Sequence, residues 1–157
     1  MPDLEDLYRE IILDHYRSPR NRGELATPPA HRVEGFNPLC GDEVVVYLDV
    51  EDGRVKDLKI AGQGCSISQS SASMMSAAVN GRSIEEAREL TRAFKTMMSI
   101  HEQEIGGVEA DGDGPDVNLG DLAALRGVVK FPVRIKCATL SWNTLTQGLD
   151  EIEAATA

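Results

Sequence analysis

Apolar residues recur at Leu4, Leu7, Tyr8, Ile11 and Ile12, a spacing of i, i+3, i+4, i+7 and i+8. That is one stripe of an α-helix, and Asp3 can cap its start. The helix is expected to stop near Ser18-Pro19, since the residue before a proline avoids the helical region. Residues 19–30, rich in Pro, Arg, Asn and Gly, read as loop. The period then changes to two. Val44, Val46, Leu48 and Val50 alternate with Val45, Tyr47 and Asp49, the pattern of a strand with one buried face. Glu51-Asp52-Gly53-Arg54 carries the Asp-Gly signal of a tight hairpin, and Val55 to Ala61 is the returning strand. A third strand with a weaker alternation is expected from His31 to Phe36.

Helical spacing returns after the hairpin. Residues 66–80 are small, with Ile67, Ser71, Met74, Met75 and Ala78 on one side and Gly81 as terminator. Ser83 and Glu86 form a capping box for the next helix, whose buried face is Ile84, Ala87, Leu90, Phe94 and Met97. Gly106 to Asp116 has no apolar period and reads as a flexible loop. A short helix is expected at Asp121 to Leu125. A last one starts around Pro132 to Lys136 and carries Trp142, Leu145, Leu149 and Ile152 inward. The order predicts an α+β fold, a small three-stranded antiparallel sheet with helices packed against it. With no internal repeat and no linker, residues 1–157 read as one domain.

Charge narrows the partners. Sixteen Lys and Arg against 26 Asp and Glu give a net charge of −10. Nucleic-acid binding depends on neutralising phosphates with cations, so neither nucleic acid nor an anionic membrane surface is expected. No run approaches the apolar length of a membrane span. The first 14 residues are acidic and amphipathic, unlike a secretory signal, so a cytoplasmic protein with reduced thiols is expected. Two basic clusters stand out, Arg17, Arg20 and Arg22, then Lys130, Arg134 and Lys136. On an acidic chain such patches suit a protein partner better than a polyanion, although Arg17, Arg20 and Arg22 taken alone read as solvated surface charge.

The chemistry lies in three cysteines. Cys40-Gly41-Asp42 precedes the first strong strand, Cys65 follows Gly62-Gln63-Gly64, and Cys137 follows Arg134-Ile135-Lys136. Three thiols and one carboxylate make a four-ligand set for a tetrahedral metal, and sulfur donors favour zinc over calcium or magnesium. A hairpin brings the chain back to its start, so Cys65 is expected beside Cys40. Cys65 sits just before a helix and Cys137 beside two cations, settings that favour thiolate. His15, His31 and His101 read as capping or surface groups, and the methionines as core. Trp142 reads as a core or interface anchor. Asp111, Asp113 and Asp116 lack the later glutamate of a calcium loop.

Several ordered blocks carry a resemblance. They are Leu7-Tyr8-Arg9, Asp14-His15-Tyr16 with Pro19-Arg20-Asn21, Asn37-Pro38-Leu39-Cys40-Gly41-Asp42, Gly64-Cys65-Ser66-Ile67-Ser68, Ser71-Ala72-Ser73-Met74-Met75, and Phe131 to Ala138. In these the chain resembles the IscU/NifU-like iron–sulfur cluster assembly family, and within it the zinc-dependent SufU branch. The resemblance implies Zn2+ held by Cys40, Asp42, Cys65 and Cys137. It implies a SufS-type cysteine desulfurase of the SUF system as partner, and Cys40 as the catalytic sulfur acceptor of a sulfurtransferase. Arg134 is implied to steady the zinc shell or the partner contact. Scaffold members carry a histidine before the last cysteine. Lys136 stands there in this chain, protonated at neutral pH, which favours sulfur transfer over the alternative of a scaffold for a nascent cluster.

Overall fold

The computed structural model describes residues 4–27, 29–38, 41–99 and 120–156. The elements are α1 (Leu4–Arg17), β1 (His31–Asn37), β2 (Asp42–Glu51), β3 (Arg54–Gln63), α2 (Ser66–Val79) and α3 (Ile84–Met98). A 3-10 helix (Gly120–Lys130) and a long helix α4 (Pro132–Thr156) complete them. The expected α+β architecture is present. The strands form an antiparallel sheet in the order β1-β2-β3.

The hairpin is built on Asp52 and Gly53, both with positive φ (53° and 74°), which matches the right-handed twist of the flanking strands. Glu51 pairs with Arg54 across it. β3 hides Val55, Leu58 and Ile60, a spacing that breaks strict alternation. The cause is a bulge. Asp49 pairs with Asp57 and Val50 with Val55, so Lys56 is the extra residue and the inward phase resumes at Leu58. With Val33, Val44, Val46 and Leu48 these residues form the sheet's share of the core. On the other face Tyr47 is also buried, with the Arg32 guanidinium 6.0 Å from its ring centre.

α4 covers the core face of the sheet. Trp142, Leu145 and Leu149 are buried in it, and Trp142 stacks on Phe94 of α3 at 4.8 Å. The helix comes close because Gly148 has no side chain. A Cβ there would lie 2.8 Å from Leu48 and 2.9 Å from Val33. Gly35 of β1 makes the same room beneath Thr144. α2 lies among α1, α3, α4 and β3. Its serines 68, 70, 71, 73 and 76 are buried. Small side chains permit that close approach, and Ser71 donates to the Ala138 carbonyl of α4 at 2.6 Å. The capping box of α3 forms as expected, with Glu86 N–H to Ser83 Oγ at 3.0 Å and Ser83 N–H to Glu86 Oε1 at 3.3 Å.

Three expectations need amendment. His15 is no surface cap of α1. It is 2 % exposed, with Nδ1 2.8 Å from Ser73 Oγ and Nε2 3.0 Å from Asp121 Oδ2, and so joins α1, α2 and the 3-10 helix. The short helix expected at Asp121 to Leu125 begins at Gly120 and runs to Lys130 as a 3-10 helix. β1 and β2 each extend past the alternating residues, to Asn37 and from Asp42. His31 keeps a surface role, paired with Glu151 at 2.7 Å. The loop expected at Gly106 to Asp116, and His101, lie outside the described residues. No described helix is long and apolar enough to cross a membrane.

Candidate metal centre

The base of the hairpin sets the geometry. Asp42 opens β2 and Cys65 follows β3, and the β2–β3 register pairs Glu43 with Gln63, leaving Asp42 and Cys65 just beyond. Asp42 is 1 % exposed. Its Oδ1 accepts the backbone N–H of Cys65 at 2.9 Å, and its Oδ2 lies 3.8 Å from Cys65 Sγ. Gly64 makes this possible, since a Cβ there would lie 2.5 Å from Asp42 Oδ1. Gly62, at φ 113°, lets the end of β3 pass close to the Glu43 carbonyl. Gly41 takes the sharp bend expected of it, at φ 68°.

Cys65 is the N-cap of α2. Its backbone is extended and its Sγ accepts the N–H of Ser68 at 3.4 Å, the bond a serine or aspartate makes at this position. Cys137 comes from the second turn of α4 and is fully buried. Its Sγ accepts from the side-chain amide of buried Asn37 at 3.6 Å. Asp42, Cys65 and Cys137 each offer one donor atom, and these atoms lie within 4.8 Å of one another.

Arg134 stands one turn before Cys137 and is exposed. The charge of the Cys65 sulfur, then a hydrogen bond to it, then the charge of Cys137, hold its guanidinium above the usual arginine range. The sequence names both Arg134 and Lys136 as compensating cations. Arg134 meets the sulfurs, and Lys136 is exposed on the next turn. Cys40 lies outside the described residues. The residue that sequence reasoning leaves without a role is Asn37, whose only signal is its place in the block leading to Cys40.

The donor set fits zinc. With Zn–S near 2.3 Å, two tetrahedral ligands stand about 3.8 Å apart, within the reach of these atoms. Two sulfurs and one oxygen suit a borderline-soft ion and not a hard one.

A three-stranded sheet whose hairpin base meets a helix turn at two thiols and a carboxylate defines an α+β domain with a candidate metal centre. Residues 7–138 match the NifU-like N terminal domain, and the chain belongs to that family. It is 44 % identical, over 96 % of its length and 95 % of the relative's, to the zinc-dependent sulfurtransferase SufU of Bacillus subtilis. It is 37 % identical to the iron–sulfur cluster assembly scaffold protein IscU of Streptococcus pyogenes, over 93 % of this chain and 84 % of that one. Among solved structures it resembles a putative iron–sulfur cluster assembly scaffold protein for the SUF system from Fervidobacterium islandicum. There the TM-score is 0.74 at 32 % identity, covering 94 % of this chain and 99 % of that one.

Proposed function

We propose that this protein is a zinc-dependent sulfur acceptor that takes persulfide sulfur from a SufS-type cysteine desulfurase for iron–sulfur cluster assembly, in the cytoplasm. The observation that carries the reading is the convergence of Asp42, Cys65 and Cys137 within 4.8 Å beside Arg134, in a chain 44 % identical to a zinc-dependent sulfurtransferase. Cys40, two residues before Asp42, completes the ligand set and is the sulfur acceptor.

Bound zinc keeps its cysteine ligands deprotonated at neutral pH. The chain's own residues divide the remaining work. Asp42 is tied by the Cys65 N–H, and Cys137 by the Asn37 amide, so these groups stay in place. Arg134 offsets the negative charge of the sulfurs. Cys40 stands before Gly41, whose positive φ marks a turn. Its thiolate attacks the outer sulfur of the donor persulfide. A sulfur–sulfur bond forms at Cys40 Sγ, the bond from that sulfur to the donor cysteine breaks, and the electron pair leaves with the donor thiolate. The exchange needs no added oxidant or reductant.

The test is to incubate the zinc-loaded protein with a SufS-type desulfurase and cysteine, then locate added sulfur by peptide mass spectrometry. Added sulfur on the Cys40 peptide, absent from Cys40→Ala together with stimulation of desulfurase turnover, is expected. Full stimulation by Cys40→Ala overturns the reading. A second reading, a scaffold for a nascent cluster, is favoured by the IscU relative. It requires a coloured cluster on anaerobic reconstitution that zinc does not displace.

A further inference from the structure

The loop after α1 is stitched to β3 and reaches the supports of the metal centre with one guanidinium. Asn21, at φ 55°, turns the chain so that its carbonyl accepts the Ile60 N–H at 2.9 Å, and the Gly23 N–H donates to the Ile60 carbonyl at 3.0 Å. These two bonds hold Arg22 between them as a parallel bridge to Ile60, on the edge of β3. The sequence groups Arg22 with Arg17 and Arg20 as one basic cluster, and the structure separates them. Arg20 is paired with Asp14 at 2.6 Å. Arg22 meets neutral acceptors. Its Nη2 donates to the Gly62 carbonyl at 2.7 Å and its Nη1 to Gln69 Oε1 at 3.2 Å.

Those two acceptors bracket Cys65. Gly62 precedes it at the end of β3, and Gln69 follows it in the first turn of α2. The stretch between them needs a restraint. A Cβ at Gly62 would lie 2.3 Å from the Glu43 carbonyl oxygen, and one at Gly64 2.5 Å from Asp42 Oδ1, so the close approach of this stretch to β2 depends on glycine at both places. Glycine permits that approach but leaves the backbone freer than any other residue would. The bonds Cys65 makes to Asp42 and Ser68 tie it only to its immediate neighbours. A guanidinium is planar, with its donors in a rigid fork. Two bonds from that one group therefore fix the end of β3 against the start of α2, with Cys65 in the span between.

We infer that Arg22 is a positioning residue for the metal centre, clasping β3 to α2 so that the Cys65 sulfur keeps the spacing to Asp42 and Cys137 that one ion requires. The inference rests on the zinc centre of the proposed function and not on the route by which sulfur moves. Arg22 acts through Gly62 and Gln69. A lysine in its place keeps the charge but presents a single ammonium on a flexible stem, without the fork that spans both acceptors.

The experiment measures zinc affinity by chelator competition and, at saturating zinc, the rate at which iodoacetamide alkylates each cysteine, read by peptide mass spectrometry. Circular dichroism checks each fold. Arg22→Ala is expected to weaken zinc binding about tenfold, the scale of loss for supports of metal ligands. It is also expected to speed alkylation of Cys65 while Cys137 reacts as in the parent. Gln69→Ala, which removes one of the two bonds, is expected to fall between parent and Arg22→Ala. The two substitutions together are expected to do no more than Arg22→Ala alone, because both break one clasp. Arg22→Lys is expected to recover part of the loss, and Arg17→Ala, an exposed member of the same basic cluster, to match the parent. Parental zinc affinity in Arg22→Ala overturns the inference and leaves the proposed function standing. So does faster alkylation of Cys65 and Cys137 alike, the mark of a loosened fold. Additive losses from Arg22→Ala and Gln69→Ala, or full recovery by Arg22→Lys, overturn the two-bond clasp in the same way. A parent that binds no zinc removes the inference and the proposed function together.

Discussion

Asp42 and Cys65 are joined twice across the base of one hairpin, by the Cys65 N–H to Asp42 Oδ1 at 2.9 Å and by the 3.8 Å approach of Cys65 Sγ to Oδ2. The backbone bond fixes one carboxylate oxygen and leaves the other facing the sulfurs. A buried carboxylate needs such a partner, because an unpaired one is costly to desolvate. The same bond therefore stabilises the fold and orients a ligand.

Gly64→Ala separates these roles. The new methyl would lie 2.5 Å from Asp42 Oδ1, so the carboxylate must move. Displaced supports of metal ligands typically cost about 10- to 100-fold in metal affinity. A chelator competition assay is expected to show a loss of that order for zinc, with the far-ultraviolet dichroism unchanged. Parental affinity would show that Asp42 is not a ligand.

Asn37→Ala tests the other anchored group. A donor amide on Cys137 Sγ at 3.6 Å lowers the energy of the sulfur lone pairs. Removing it raises them. In the cobalt-substituted protein, the thiolate-to-metal charge-transfer band is expected to move to lower energy, and cobalt binding to weaken about tenfold. An unmoved band would mean that the amide does not act on a metal-bound sulfur.

The contrast between these two residues shows what the sequence made legible. That Cys65 returns to the residues that open β2 was readable because a two-residue turn at Asp52-Gly53 fixes where both strand ends fall. Asn37 and Cys137 are 100 residues apart, and no local pattern links them. Their meeting depends on α4 lying tight on the sheet at Gly148 and Gly35, a clearance visible only in three dimensions. Cys137 entered the ligand set from donor chemistry and resemblance, and the fold supplied its position. His15 was misread for the same reason. Its partners lie 58 and 106 residues away, so its helix position alone suggested a surface cap. The phase break in β3 was equally hidden, because a bulge at Lys56 leaves no compositional mark.

His15→Ala should prove costly for a polar residue near a helix end. It removes two side-chain hydrogen bonds and leaves buried Ser73 without one of its partners, although Ser73 Oγ still accepts the Arg20 N–H at 2.8 Å. A loss of about 2–3 kcal/mol in urea unfolding is expected. Asp121→Asn, at the exposed end of the chain of bonds, should cost well under half of that. Equal losses would place the energy in the Asp121 contact and not in the buried contact with Ser73.

Acid should weaken the start of α3. Hydrogen bonding to the Ser83 backbone first, then to its hydroxyl and Arg82, holds the Glu86 carboxyl below its unfolded value of 4.5. A depressed carboxyl contributes stability that is present above the unfolded value and lost as pH falls through the folded one. Glu86→Gln keeps a capping side chain but does not titrate. The parent's advantage in urea midpoint over Glu86→Gln is therefore expected near neutral pH and should vanish as pH drops below 4.5. A constant difference across that range would rule out the carboxylate as its source.

Gly148→Ala sets two effects of opposite sign against each other. Alanine is the better helix former by up to about 1 kcal/mol, and α4 would gain that much if the site were open. It is not open, since the methyl would lie 2.8 Å from Leu48 and 2.9 Å from Val33, both buried side chains of the sheet. Overpacking of a filled core costs about 1–3 kcal/mol, so the net is expected to be a loss of about 1–2 kcal/mol. The melting temperature should fall by roughly 2–8 °C. The strain also reaches the metal centre, because relief by lifting α4 carries Cys137 away from Asp42 and Cys65. Zinc affinity is expected to fall together with stability, whereas a local shift of Leu48 and Val33 would lower stability alone. A variant more stable than the parent would show that the sheet yields easily beneath α4, and that Gly148 does not set the height of Cys137.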